Sequence, residues 1–241
     1  MNWVDIAIWL IVLACGAVAA RHYRRAQIPL QQGMGLSVDE RTWSYVAGGV
    51  VIGGLVMGGI FGVEWALGAL RVSGMRFPGL DFAIWLFSLV LGALWEEFLF
   101  RGLMLSGLAV MLRRRWLAIV VMAVFFGLAH AGNPGASALS VLGNALGGLM
   151  YAVAFLGSGS IWLPTGLHFA WNFFQGPVLG FPVSGLEMGG LVQQAPIGSV
   201  LVTGGGYGPE AGLVGMTFRF VAIGLLAGGL EWRRRNANMG S

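Results

Sequence analysis

Residues 82–112 read FAIWLFSLVLGALWEEFLFRGLMLSGLAVML, and this stretch decides the fold class. Its only ionisable side chains are Glu96, Glu97 and Arg101. A helix needs about 20 predominantly apolar residues to cross a bilayer, and this run is longer than that. At about 1.5 Å per residue it is too long for one upright helix, so we expect it to tilt, kink or extend beyond the bilayer.

The rest of the chain follows the same pattern. Of its 241 residues, 57% are hydrophobic and only 10% are charged, whereas soluble domains carry about 25% charged residues. The sequence therefore predicts an all-α fold, a polytopic transmembrane bundle in which residues 1–241 form a single integral membrane domain. We predict about seven spans, at 3–20, 45–70, 82–112, 116–131, 136–157, 160–179 and 211–231. The Gly-rich segment 180–210 is the longest part outside them.

Small residues at four-residue spacing let membrane helices approach closely. Gly49 and Gly53 have this spacing, as do Gly54 and Gly58. We interpret both pairs as packing faces of the second span.

The arginines indicate an orientation. With seven alternating spans, ten of them fall on one side of the membrane: Arg21, Arg24, Arg25, Arg41, Arg113, Arg114, Arg115, Arg233, Arg234 and Arg235. Only Arg71 and Arg76 fall on the other side. Because cytoplasmic loops carry the excess of basic residues, this asymmetry predicts an outside N-terminus and a cytoplasmic C-terminus. The short clusters between apolar runs argue against nucleic acid as a partner.

Ionisable groups inside a membrane helix are expensive, so each is a candidate for function. Glu97 and Arg101 are four residues apart and can pair on one helix face. Glu96 lies about 100° around the helix, which leaves this carboxylate free to point elsewhere.

Two later spans repeat the four-residue spacing. His168 and Asn172 project from one face of the sixth span, and Phe126 and His130 from one face of the fourth. We expect the histidines, Asn172 and Glu96 to meet in one interior cavity. Taken singly, each has a structural interpretation, as an ion pair or an interhelical hydrogen bond. Their occurrence together favours a hydrolytic site.

This set of side chains contains the parts that peptide hydrolysis needs. A carboxylate in an apolar cavity can act as general base on water, and a neighbouring histidine can orient the water or move its proton. A second histidine and an asparagine can donate to an oxyanion. In this interpretation no cofactor is required. Alternatively, Glu96, His130 and His168 could hold Zn²⁺, as His₂Glu hydrolytic sites do. The chain has no HExxH motif and no convincing serine-nucleophile motif.

Three motifs follow one another on successive predicted helices: Glu96-Glu97-x-x-x-Arg101, Phe126-x-x-x-His130 and His168-x-x-x-Asn172. In this order they resemble the CPBP family, the CAAX protease and bacteriocin-processing (Abi) family, which includes type II CAAX prenyl endopeptidases. The resemblance covers roughly residues 82–178, the motif-bearing catalytic core. It implies that Glu96 activates water with His130, that His168 and Asn172 stabilise the oxyanion, and that Glu97 and Arg101 support them.

The resemblance implies an intramembrane endopeptidase that acts near the C-terminus of a membrane-anchored or lipidated peptide. The bilayer and this peptide are the expected partners. A membrane scaffold or bacteriocin self-immunity protein is the alternative that the family also contains. A proton- or ion-coupled transporter is disfavoured, because the two halves show no paired repeats. The Arg-only, Gly- and Ala-rich composition favours a GC-rich bacterial genome, and so a location in the bacterial plasma membrane.

Overall fold

The computed structural model describes the backbone of residues 3–239 and the side chains of residues 10–229 and 231. The N-terminal half contains α1 (Trp3–Arg25), α2 (Leu30–Gly33), α3 (Thr42–Ala66), strand β1 (Leu70–Met75), α4 (Leu80–Glu97), a π-helical segment (Phe98–Leu105) and α5 (Ser106–Leu112). The C-terminal half contains α6 (Arg115–Ala129), α7 (Ala138–Ser158), α8 (Trp162–Phe173) with a π-helical turn (Phe174–Val178), strand β2 (Val192–Pro196), α9 (Val200–Thr203), 3₁₀ turns (Gly205–Tyr207 and Pro209–Ala211) and α10 (Leu213–Met239).

Each of the seven predicted spans corresponds to a helix or a continuous helical stretch, but the helices differ in their capacity to cross a membrane. Within the described residues, three are long and apolar enough: Thr42–Ala66, Leu80–Leu112 and Ala138–Ser158. Helix α6 has 15 residues, about 22 Å, which is short of a hydrocarbon core about 30 Å thick. The chain is thus a helical membrane protein, and the count of seven crossings stays a prediction.

The expectation of an all-α fold was incomplete, because β1 and β2 form a two-stranded antiparallel sheet. Its register runs from Leu70 opposite Pro196 to Met75 opposite Val192. The second span was predicted to reach residue 70. Helix α3 instead ends at Ala66. Gly68 takes a left-handed backbone conformation (φ 69°), and strand β1 begins two residues later.

One end of the bundle carries Arg41, just before α3, and the turn with Arg113, Arg114 and Arg115 between α5 and α6, and we call it the arginine-rich face. There the segment after α2 contacts the turn between α7 and α8. The backbone N–H of Ile161 donates to the carbonyl of Gly35 at 3.0 Å, and the indole of Trp162 donates to the carbonyl of Ser37 at 2.8 Å. The side chains of Arg233, Arg234 and Arg235, which the orientation argument also uses, lie outside the described residues.

The opposite end is the arginine-poor face, and its loops also contact one another. The Asn133 side chain donates to the carbonyl of Ser184 at 3.1 Å. The backbone N–H of Arg76 donates to the carbonyl of Leu191 at 2.8 Å. These contacts join loops at each end of the bundle, and the alternating arrangement of seven spans stays a prediction.

The main hydrophobic core lies between α3, α6, α7, α8 and α10. Helices α3 and α8 run in the same direction there, and glycine permits their close approach. A Cβ atom added to Gly53 would lie 2.7 Å from Ala170 Cβ and 2.9 Å from the carbonyl oxygen of Leu167. A Cβ atom at Gly58 would meet nothing within 4 Å. The packing interpretation is confirmed for the face that contains Gly53 and is wrong for Gly58.

Candidate active site

A cavity of about 180 Å³ lies among α4, α6, α7, α8 and the loops of the arginine-poor face. Glu96, His130, His168 and Asn172 all line it. Helix α6 follows the arginine cluster directly and runs back along the preceding helix, which places His130 at its far end. The structure therefore brings the four predicted side chains to one polar space.

Glu97 holds two partners with one carboxylate oxygen. Its Oε1 accepts a hydrogen bond from Arg101 Nη1 at 2.9 Å and lies 2.9 Å from His168 Nδ1. The pairing of Glu97 with Arg101 was predicted and is confirmed. The contact with His168 was not predicted, because helical spacing identifies partners on the same helix and says nothing about a helix that packs from elsewhere.

Arg101 is fixed on all sides. Its second terminal nitrogen donates to the carbonyl oxygen of Gly148 at 3.2 Å, and its guanidinium lies 4.7 Å from the ring centroid of Phe126. The side chain is 2% exposed. These contacts anchor Glu97, and through Glu97 they fix the orientation of the His168 ring.

Glu96 is in a different environment. A third of its side chain is exposed (33%), and its Oε2 lies 4.0 Å from His168 Nε2. That oxygen is buried and accepts no hydrogen bond from the described residues. Buried polar atoms in native proteins are almost always paired with protein or water. A water molecule in the cavity is the natural partner for this oxygen.

Hydrogen bonds define the state of each histidine ring. His130 Nδ1 lies 2.8 Å from the carbonyl oxygen of Phe126, which can only accept, so Nδ1 carries the proton. In the neutral ring Nε2 is then an acceptor. The same argument places a proton on His168 Nδ1, because it faces the carboxylate of Glu97. His168 can donate from Nε2 only when both of its nitrogens are protonated.

Aromatic side chains form the apolar wall. The ring of Tyr151 stacks on His168, with centroids 4.6 Å apart, and Phe126 lies 4.7 Å from the ring of His130. Phe126 thus lines the cavity. Trp171 does not line it and is fully buried beneath the guanidinium of Arg219, 4.3 Å from its ring.

The donor set does not match the zinc alternative. Among the described residues, no three His, Cys, Asp or Glu side chains are grouped so that they could hold a metal ion. Glu96, His130 and His168 share the cavity without forming such a group. We therefore assign no step of the chemistry to a metal.

Sequence reasoning missed a second polar cluster on the other side of the same cavity. Arg219 in α10 lies 3.6 Å from Glu210 and donates to the carbonyl of Gly143. The other oxygen of Glu210 accepts from the backbone N–H and the hydroxyl of Ser184 at 2.6 and 2.9 Å. Arg219 lies inside a predicted span, so the rule that identified Arg101 should have identified it too. Glu210, in a Gly-rich loop, gave no such signal.

Tyr207 completes this cluster. Asn144 in α7 donates to its hydroxyl at 2.7 Å. Burial, with a smaller contribution from the charge of Glu210, raises the pKa of Tyr207 above its ordinary value. The phenol is therefore neutral at physiological pH and holds its loop against α7.

Residues 78–174 match the family described as "Type II CAAX prenyl endopeptidase Rce1-like". This segment contains all three motifs, and the resemblance to the CPBP family is confirmed over it. Neither curated proteins nor solved structures provide a significant match to the chain. Glu210, Arg219 and the strands lie outside the matched segment.

Proposed function

We propose that this protein is an intramembrane endopeptidase that hydrolyses a peptide bond near the C-terminus of a membrane-anchored or lipidated substrate. The match to a family of prenyl endopeptidases supports a protease. The observation that carries the proposal concerns Glu96: its Oε2 is buried, accepts no hydrogen bond from the described residues and lies 4.0 Å from His168, in a cavity large enough for water.

In the proposed reaction, Glu96 takes a proton from a water molecule whose oxygen attacks the carbonyl carbon of the scissile bond. His130 orients this water through the acceptor nitrogen Nε2, since its Nδ1 proton is committed to the carbonyl of Phe126. The proton then passes to the leaving amine as the C–N bond breaks. General acid–base catalysis of this kind contributes about 10²–10⁴-fold to a rate.

The oxyanion is stabilised by Asn172 and by His168. Because His168 Nδ1 donates to Glu97, donation from Nε2 requires both ring nitrogens to carry a proton. Glu97 and Arg101 act through His168, so we regard them as positioning residues. Loss of one oxyanion donor costs about 10²–10³-fold in kcat.

We further propose that the N-terminus lies outside the cytoplasm and the C-terminus inside, with residues 1–241 forming one membrane domain around the core at 82–178. The asymmetry of the arginines supports this orientation. A bacterial plasma membrane is the proposed location.

The test compares the C-termini of membrane peptides in cells that express the protein or its Glu96→Gln variant. The wild-type protein should shorten a defined set of peptides, and the variant should leave them intact. A purified sample should cleave an internally quenched farnesyl-CAAX peptide if the substrate is prenylated. Full activity of a correctly inserted Glu96→Gln protein would end the catalytic assignment. Unchanged termini with both proteins would favour the scaffold or immunity alternative.

A further inference from the structure

We infer that Glu210 and Arg219 are positioning residues for His130. They act through two intermediate residues, Ser184 and Asn133, and hold the turn that begins at His130, directly after α6. This inference rests on the proposed function, in which His130 orients the reactive water. It gives a role in that reaction to two residues that lie after the segment matched to the family.

Hydrogen bonds of Asn133 determine where this turn lies. The backbone N–H of Asn133 donates to the carbonyl oxygen of His130 at 3.2 Å. Its side chain donates to the carbonyl oxygen of Ser184 at 3.1 Å. Asn133 is thus bonded to His130 on one side and to the loop of Ser184 on the other. A shift of that loop moves the turn, and with it the ring of His130 that lines the cavity.

Ser184 is held in a conformation that it would not adopt by itself. Its backbone is left-handed (φ 49°), which costs free energy for a residue with a Cβ atom. Oε2 of Glu210 accepts both of its donors, the backbone N–H at 2.6 Å and the hydroxyl at 2.9 Å. Such conformations persist where the surrounding structure fixes them, and they cluster at functional sites. The carboxylate therefore stabilises the conformation in which the Ser184 carbonyl meets Asn133.

The pair of Glu210 and Arg219 is the fixed end of this series of contacts. Each residue is 2% exposed, and Nη2 of Arg219 lies 3.6 Å from Oε1 of Glu210. Arg219 also donates to the carbonyl oxygen of Gly143 in α7. Glycines on α7 make room for both residues. A Cβ atom at Gly147 would lie 3.3 Å from Cζ of Arg219, and one at Gly143 would meet the carbonyl oxygen of Glu210. The pair is therefore seated directly on α7.

A buried ion pair is a costly way to hold a loop. The desolvation of two charges often outweighs their attraction, so an apolar pair of similar volume would stabilise the fold as well or better. A carboxylate adds direction, because it accepts strong hydrogen bonds from defined donors. The four side chains of this series line the cavity together with Glu96 and His130. These observations favour a role in the geometry of the site over a role in stability alone.

Nitrogen-15 spectra of the purified protein test this role without any need for activity. The chain has three histidines, so each ring signal can be assigned by substitution. The Nδ1 proton of His130 is bonded to the carbonyl of Phe126, and its exchange with water reports how firmly the ring is held. In Glu210→Gln this exchange should be about tenfold faster than in the wild-type protein, because the turn opens more often. The control is Val12→Ala, which truncates a buried side chain in a separate cluster and should leave this exchange unchanged.

The series of contacts also predicts which substitutions do not add. Asn133→Ala removes the link between Ser184 and the turn, so Glu210→Gln in that background should have no further effect on the exchange of His130. Two independent losses of stability would add instead. If Glu210→Gln is poorly expressed because Arg219 is left unpaired, Glu210→Gln with Arg219→Gln replaces it. Exchange at the wild-type rate, or exchange that rises separately with each substitution, would overturn the inference.

Kinetics with a quenched, lipid-anchored peptide separate this inference from the proposed function. In Glu210→Gln, kcat should fall about 10–100-fold while KM stays within about twofold of wild type, because the ring is misplaced and substrate binding is kept. Val12→Ala should keep the wild-type kcat at a temperature where both variants are folded. A wild-type kcat in Glu210→Gln would contradict the inference and leave the protease intact. Faster exchange at His130, with no cleavage by the wild-type protein beyond that by Glu96→Gln, would count against the proposed function alone.

Discussion

The same substitution at two adjacent positions should destabilise the protein at one position and leave its stability almost unchanged at the other. Glu97→Gln removes a fully buried charge whose Oε1 lies 2.9 Å from both Arg101 and His168. Removing one partner of a buried ion pair costs about 3–5 kcal/mol, because the other charge is left uncompensated. Glutamine keeps an oxygen that can accept both hydrogen bonds, so we expect the lower end of this range.

For a chain of this size, 1 kcal/mol changes the melting temperature by about 2–4 °C, so Glu97→Gln should melt roughly 6–12 °C below the wild-type protein. Glu96→Gln should melt within about 2 °C of wild type, because its Oε2 accepts no hydrogen bond from the described residues. Thermal unfolding of both variants in the same detergent, followed by a thiol-reactive dye or by circular dichroism, measures the difference.

A matched double variant, Glu97→Gln with Arg101→Gln, tests the cause. Removing both charges of a buried pair is often close to neutral, so the double variant should be more stable than Glu97→Gln alone. Equal melting temperatures for Glu96→Gln and Glu97→Gln would refute the reasoning. So would a double variant whose losses simply add, because contacting residues should show a coupling energy.

Three further predictions concern packing, pH and metal. Gly53→Ala should destabilise the protein by about 1–3 kcal/mol through overpacking against Ala170. Gly58→Ala should be neutral or slightly stabilising, because the added Cβ atom meets nothing within 4 Å. Equal urea midpoints for the two variants would contradict the close contact between α3 and α8. The pKa of Tyr207 should lie above its ordinary value near 10. Its contribution to stability is therefore complete below pH 10 and is lost as the pH rises through the folded-state pKa. The difference in absorbance near 295 nm between the wild-type protein and Tyr207→Phe measures this pKa, and an ordinary value would contradict the prediction. Cleavage should persist after treatment with 1,10-phenanthroline, since no three His, Cys, Asp or Glu side chains of the described residues are grouped to hold a metal ion. Loss of activity that added Zn²⁺ restores would favour the zinc alternative.

The sequence was most informative where function depends on helical spacing. Glu97 with Arg101, and His168 with Asn172, are each four residues apart, and this distance alone places each pair on one face. These features are local, so they could be predicted before any packing was known.

Other features depend on contacts between distant segments. The hydrogen bond from His168 to Glu97 joins two helices whose relative rotation no spacing rule gives. Phe98–Leu105 is π-helical, and the wider turn changes the angular position of each later residue on that stretch. The sheet was missed because its strands are short and lie far apart in the chain. These features were therefore determined by contacts between distant segments, and the local sequence pattern did not predict them.

Because α3 and α8 are in close contact, the segment that matches the family depends on residues outside it. His168 and Asn172 belong to the segment that matches the family, yet the groove that seats α8 is made by Gly49 and Gly53 in α3, before that segment begins. Arg219, after it ends, covers the ring of Trp171 on the same helix. A chimera that carries residues 78–174 alone would have every motif residue but no scaffold to hold α8 in position. The motif residues lie in the matched segment, and the flanking helices outside it hold α8 in position.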